Sequence, residues 1–105
     1  MPQSADVLND QVIRTIRELL QAEHLQDRTV NTYTHWIERF LWLNQGKPIE
    51  RLDEQDVNGF MHHVRQQLSA SQARQKQALR ALQYFFSIIR PRLSAQLDEE
   101  NSLSA

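Results

Sequence analysis

The chain has 105 residues, 40% of them hydrophobic and 24% charged, the proportions of one ordinary globular domain with a single modest core. It has no cysteine, which excludes disulfides, thiolate catalysis and any cysteine-bearing zinc site, and its 2 Gly and 3 Pro favour long helices over a many-turned β fold. The formal net charge of -1 argues on average against a polyanionic partner, no apolar run approaches the ~20 residues of a membrane span, and MPQSADVLND lacks the basic and apolar regions of a signal peptide.

A first helix is predicted over residues 5–24. Leu8, Val12, Ile16, Leu19 and Leu20 share one stripe, Ser4 or Asp6 can cap the free N–H groups, and Arg14, Arg17 and Glu18 fall on the outer face. Gln26 and Asp27 break the pattern. A second helix opens at Asp27 or Thr29 and runs to Asn44, burying Val30, Tyr33, Ile37, Phe40 and Leu41 with Trp36 at the margin. Arg28, Asn31, Thr32, His35 and Arg39 face elsewhere, with Glu38 and Trp42. Gly46 suits the left-handed position that ends a helix, and Pro48 prevents continuation.

The third helix has the clearest start. Asp53 is a good N-cap, and Glu54 and Asp56 put negative charge where the helix dipole favours it. Leu52 and Val57 have the spacing of a hydrophobic staple, and Val57, Phe60, Met61, Val64 and Leu68 form the core stripe. Gly59, unfavourable by ~1 kcal/mol against Ala, predicts a close helix–helix approach. Ser69-Ala70-Ser71 is the next turn, with Ser71 the N-cap of a fourth helix that buries Ala78, Leu79, Leu82, Phe85, Phe86 and Ile89. Short connections make successive helices neighbours in one all-α bundle. The domain is assigned to residues 1–93, and the polar, acidic stretch 94–105 reads as a fraying tail or linker.

The charges are segregated. No Asp or Glu occurs between Asp56 and Asp98, whereas that stretch holds Arg65, Arg74, Lys76, Arg80, Arg90 and Arg92. A fourth helix with one packed face and an otherwise basic, amide-rich surface is a candidate for lying against a polyanion. The alternative is a solvated helix whose basic bias has no partner.

In their order and spacing, these residues resemble the N-terminal core-binding domain of the tyrosine recombinases, the phage-integrase superfamily, with integron integrases the nearest flavour. Thr29 and Tyr33 open one helix, followed by the Trp36 and Phe40 aromatic stripe. Leu52, Asp56, Val57 and Phe60 match the next helix of the pattern, and Ser71, Gln77, Ala78, Leu79, Ala81 and Leu82 match the last. The likeness spans roughly residues 8 to 93. It implies a four-helix, SAM-like orthogonal bundle that clamps double-stranded DNA, with its second and fourth helices facing the major groove. The implied contacts are Arg28, Asn31, Thr32, His35 and Arg39 on one helix, and Ser71, Gln72, Arg74, Gln75, Lys76 and Arg80 on the other. One departure stands out, because the family commonly has Thr where this chain has Arg74.

Such contacts suit the residue types: Lys and Arg neutralise phosphates, Arg can bridge guanine, and Asn and Gln suit adenine. Gln72, Gln75 and Gln77 are open to a plainer reading as helix-forming surface. The resemblance further implies a monomeric isolated domain, other recombinase protomers as partners of the full-length protein, and a bacterial cytoplasmic setting at the nucleoid.

No catalytic residues are expected in this chain. The family's strand-cutting Tyr, with its Arg, His and Arg helpers, belongs to a second domain. His62 and Arg65 have the spacing of part of that set, but Phe60, Met61 and Val64 around them are core. Tyr33 and Tyr84 read as helix residues with apolar bodies and polar tips. His62 and His63 point about 100° apart on a helix and make a poor metal pair. Glu50, Asp53, Glu54 and Asp56 are explained by capping, and nothing resembles a Gly-rich phosphate loop, so neither metal nor cofactor is expected. The rival function is a helical protein-interaction module docking a partner through Trp42 or the C-terminal aromatics.

Overall fold

A computed structural model describes residues 10–96, and every regular element among them is helical. Helix α1 spans Asp10–Gln21, α2 Asp27–Leu43, α3 Glu54–Gln66 and α4 Gln72–Tyr84, with a 3₁₀ turn Ile49–Arg51 before α3. The last helix does not stop at Tyr84. It widens into a π segment, Phe85–Ile89, and continues to residue 96.

Local chemistry sets most boundaries. Asp53 accepts hydrogen bonds from the Gln55 and Asp56 backbone N–H groups, and Asp56 accepts one from the Asp53 N–H at 2.9 Å, closing a capping box. The Ser71 hydroxyl accepts from the Arg74 N–H at 3.2 Å and starts α4. Gly46 takes φ +96 after α2, a conformation glycine adopts without penalty. The π segment explains how a helix tolerates Pro91: Arg90 N–H bonds back to Phe85 O, and the widened turn eases the clash that a proline ring makes with the preceding turn.

The core is centred on α2, which touches α1, α3 and α4. Phe40 meets Phe60, Phe85 and Phe86 edge-on at centroid distances of 5.6, 6.2 and 5.9 Å. Ile16 and Leu20 of α1, Val64 of α3, and Ala78, Ala81, Leu82 and Leu93 of the last helix complete it. The all-α, four-helix bundle expected from the sequence is the fold.

Several details differ from the sequence-based expectation. Because α2 has neighbours on three sides, its buried face is wider than one stripe: Trp36 is 1% exposed rather than marginal, and Thr34 is buried as well. Helix α1 ends at Gln21, not 24, through 3₁₀-type bonds from Glu23 and His24 and a positive φ at His24. Its proposed caps Ser4 and Asp6, and Leu8, lie outside the described residues. Leu68 is exposed because α3 has ended and Ser69 turns the chain with φ +50. Leu79 is exposed too, since α4 presses Ala78, Ala81 and Leu82 inward instead. Gly59 marks no close approach: it faces solvent, and a Cβ there would meet nothing within 4 Å. Residues 94–96, assigned to the tail, are helical; the rest of that stretch lies outside the described residues.

Candidate nucleic-acid interface

The first half of α4 carries Ala73, Lys76, Gln77 and Arg80 at i, i+3, i+4 and i+7, so all four share one flank of the helix. That flank faces the first half of α2. Arg28, Thr29, Thr32 and Tyr33 form the opposite wall of an open groove, and no carboxylate lines it. Arg28, Lys76 and Arg80 therefore converge from two helices onto one seam, with the Thr32 hydroxyl and the Gln77 amide between them.

Cation–π stacking fixes a further base beside the seam. The Arg74 guanidinium lies over the Trp36 ring, 5.4 Å from its centroid. Among the described residues the ion pairs are Lys47–Asp56 and Arg92–Glu23, which leaves Arg28, Arg39, Arg74, Lys76 and Arg80 with no acid to neutralise them. Uncompensated bases with interleaved hydroxyl and amide donors suit the phosphate oxygens of a nucleic-acid backbone.

Residues 12–93 match the family model described as phage integrase, N-terminal SAM-like domain. The chain belongs to this family. No curated protein matches it. The family supports a role in integration and recombination, and the matched part is the N-terminal domain rather than a catalytic one.

Within this integrase SAM-like domain the sequence-predicted residues do not form one patch. Arg28, Thr32, Lys76 and Arg80 meet in the seam. His35 and Arg39 sit further along α2, where Arg39 Nε donates to His35 Nε2 at 3.4 Å, in a depression shared with Glu38, Trp42 and His63. Gln72 and Gln75 fall on the opposite flank of α4, towards α3, and the Gln75 amide donates to Ala70 O at 2.9 Å. Ser71 is occupied as an N-cap acceptor, which leaves its O–H free to donate. Asn31 accepts from the Arg17 guanidinium at 2.7 Å, so α1 places a base beside α2.

Gln77, read from the sequence as a base-reading type, lines the seam, whereas sequence reading missed Thr29 and Ala73 there and Arg17 beside Asn31. Both seam residues were findable, because Ala73 completes the helical stripe of Lys76, Gln77 and Arg80, and Thr29 precedes Thr32 on the same side of α2. Arg17 was not, because its position depends on how α1 docks.

The basic character of the last helix is also confined to its first half. Arg90 is half-buried, donates to Leu52 O at 2.6 Å and Ile49 O at 3.4 Å, and stacks 4.5 Å from the Phe86 centroid. Arg92 pairs with Glu23, whose other oxygen accepts from the Tyr84 hydroxyl at 3.3 Å. Burial, with Glu23 adding to it, pushes the Tyr84 phenol above its ordinary value. Both arginines are thus committed to partners within the fold. Among the described residues no group of three or more His, Asp or Glu is placed to hold a metal ion, and no helix is long and apolar enough to cross a membrane.

Proposed function

We propose that this chain is the DNA-clamping N-terminal domain of a site-specific tyrosine recombinase of the integron-integrase type. The α2–α4 seam grips the backbone of duplex recombination-site DNA, with Arg28, Thr32, Lys76 and Arg80 as its centre. Arg74, Arg39, His35, Asn31 and Ser71 form its surroundings, and Gln72 and Gln75, on the flank of α4 towards α3, are the weakest members, Gln75 being tied to Ala70 O. Residues 1–93 do the gripping, and 94–105 lead towards a catalytic domain of the parent protein that supplies the Arg, His-x-x-Arg and Tyr set. Other recombinase protomers are the remaining partners, in a bacterial cytoplasm at the nucleoid.

One observation carries this reading: a groove between two helices whose three bases have no acid among the residues that line it. The test is a titration of labelled protein with a short DNA duplex, followed by backbone amide shifts. Shifts are expected at Arg28, Thr32, Lys76, Gln77 and Arg80, with Kd about 10⁻⁴–10⁻⁶ M at physiological salt, the range of sequence-independent binding. Silence on α4 even at low salt sinks the proposal.

A second reading, a helical protein-interaction module without DNA binding, rests on Trp42 and Leu43, which are 58% and 48% exposed. It gains if the same titration is silent and a protein partner shifts Trp42 instead.

A further inference from the structure

The flank of α4 that turns away from the DNA seam lines a second groove, against α3. The two helices run antiparallel there, so Arg65 lies near Gln72, Val57 near Leu79, and Glu54 near Gln83. The floor is apolar, built from Val57, Met61, Leu79, Leu82 and Phe86, and Leu79 at its middle is 39% exposed. Its ends differ in sign. Arg65 and Lys76 stand at one end, while Asp53 and Glu54 stand at the other. Arg90 also lines the acidic end, but its guanidinium is committed to the Ile49 and Leu52 carbonyls and to the Phe86 ring.

A groove with an apolar middle, a basic end and an acidic end is complementary to itself. Rotating a second copy by half a turn about an axis through Leu79 sets each basic end against the other copy's acidic end, and Leu79 against Leu79. This is the geometry of an isologous interface. We propose that the α3–α4 groove is a self-association surface on which two copies of this chain pack about a twofold axis, held by Leu79 at the centre and by reciprocal Glu54–Arg65 pairs at the rim. Arg28, Thr32 and Arg80 lie outside the interface, and Lys76, which borders both grooves, is the one seam-lining residue shared with it. The pairing departs from the monomer expected of the isolated domain, and it stands whether or not the seam binds DNA.

Burial of the apolar floor supplies the attraction, and the charge pairs fix the orientation more than the strength. The expected dimer is therefore weak, with Kd in the range of about 10 µM to about 1 mM, as small interfaces give.

Sedimentation velocity of the full chain across that range, with amide shifts followed on dilution, tests the proposal. A rising sedimentation coefficient and concentration-dependent shifts at Val57, Met61 and Leu79, with none at Arg28 or Thr32, are expected. Leu79→Glu should weaken association at least about tenfold while leaving the helical circular dichroism unchanged, since Leu79 is outside the core. Glu54→Arg should also weaken it about tenfold by placing like charges across the axis, and Glu54→Arg combined with Arg65→Glu should restore it to within about threefold. A chain that stays monomeric to about 1 mM overturns the proposal. So does a Leu79→Glu protein that associates normally, or a charge-swapped double variant no better than the single one.

Discussion

Arg74 lays its guanidinium over the indole of Trp36, 5.4 Å from the ring centroid, and Trp36 is left 1% exposed. Arg74 thus covers the ring of a core residue while holding its charge beside the α2–α4 seam. Ser71, capping the N–H of Arg74 itself, fixes the backbone from which the side chain reaches. Arg74→Ala should lower stability by about 0.5–1 kcal/mol, the scale of a cation–π contact near the surface. It should also red-shift Trp36 emission, read in a Trp42→Phe background. Arg74→Lys should recover charge but not the flat stacking contact, so the emission shift should persist. Unchanged emission in Arg74→Ala would show that the indole needs no cover.

Gly59 offers a separable measurement. It sits inside α3, facing solvent, with nothing within 4 Å of where a Cβ would stand. Gly59→Ala should therefore stabilise the domain by about 0.5–1 kcal/mol, through helix propensity and a less flexible unfolded chain. A urea midpoint that rises without a change in slope is the expected result. A fall would mean that another molecule packs against this position.

Gly59 also shows where sequence reading stops. Asp53, Ser71 and Gly46 were legible because capping and left-handed turns depend on a few neighbouring residues, and the structure keeps all three roles. The four helices were legible because each has an apolar stripe at the helical period. Gly59, Trp36, Leu79 and Arg90 were misread for one shared reason: their surroundings are set by which other helix lies alongside. Arg90 looked like one more surface base, yet it finds two carbonyls some forty residues away in sequence. The π segment had only an indirect signal, Pro91 within an otherwise helical pattern. The same limit applied to the seam, where the residue types and the two flanks of α4 follow from the helical period but which helix faces each flank does not.

Acid stability should report on Asp56. Burial by itself would raise this carboxyl, but the hydrogen-bonded Lys47 ammonium, the Asp53 backbone N–H and the Lys47 charge outweigh it and hold the group below its ordinary 3.8. A carboxyl whose pKa is depressed in the folded protein contributes stability above the unfolded value, and that contribution disappears as pH falls through the folded one. The urea midpoint should therefore drop on acidification from about pH 6 to about pH 3. Asp56→Asn, which keeps the side chain's shape but loses the Lys47 pair, should lower the midpoint at about pH 6 and flatten its dependence over that window. An Asp56→Asn profile parallel to the parent's would assign the acid sensitivity to other carboxylates.

The bases of α2 and of the last helix include two classes that experiment can tell apart. Arg28, Lys76 and Arg80 line the seam and lack acidic partners among the described residues, so their charge is available to a ligand. Arg90 spends its guanidinium on the Ile49 and Leu52 carbonyls. Each seam residue replaced by Ala should leave stability within about 0.5 kcal/mol of the parent. Each should also reduce the slope of log affinity against log salt by about 0.9, the value for one duplex phosphate that is no longer neutralised. Arg90→Met should do the reverse. Loss of the Arg90 hydrogen bonds, above all the 2.6 Å bond to Leu52 O, makes the fold less stable by about 1–3 kcal/mol, while the salt slope of the folded fraction stays unchanged. Paired measurements of urea unfolding and salt-dependent binding on the four variants read both quantities. If Arg90→Met shallows the slope as much as Lys76→Ala does, the phosphate contacts extend beyond the seam along the whole of the last helix.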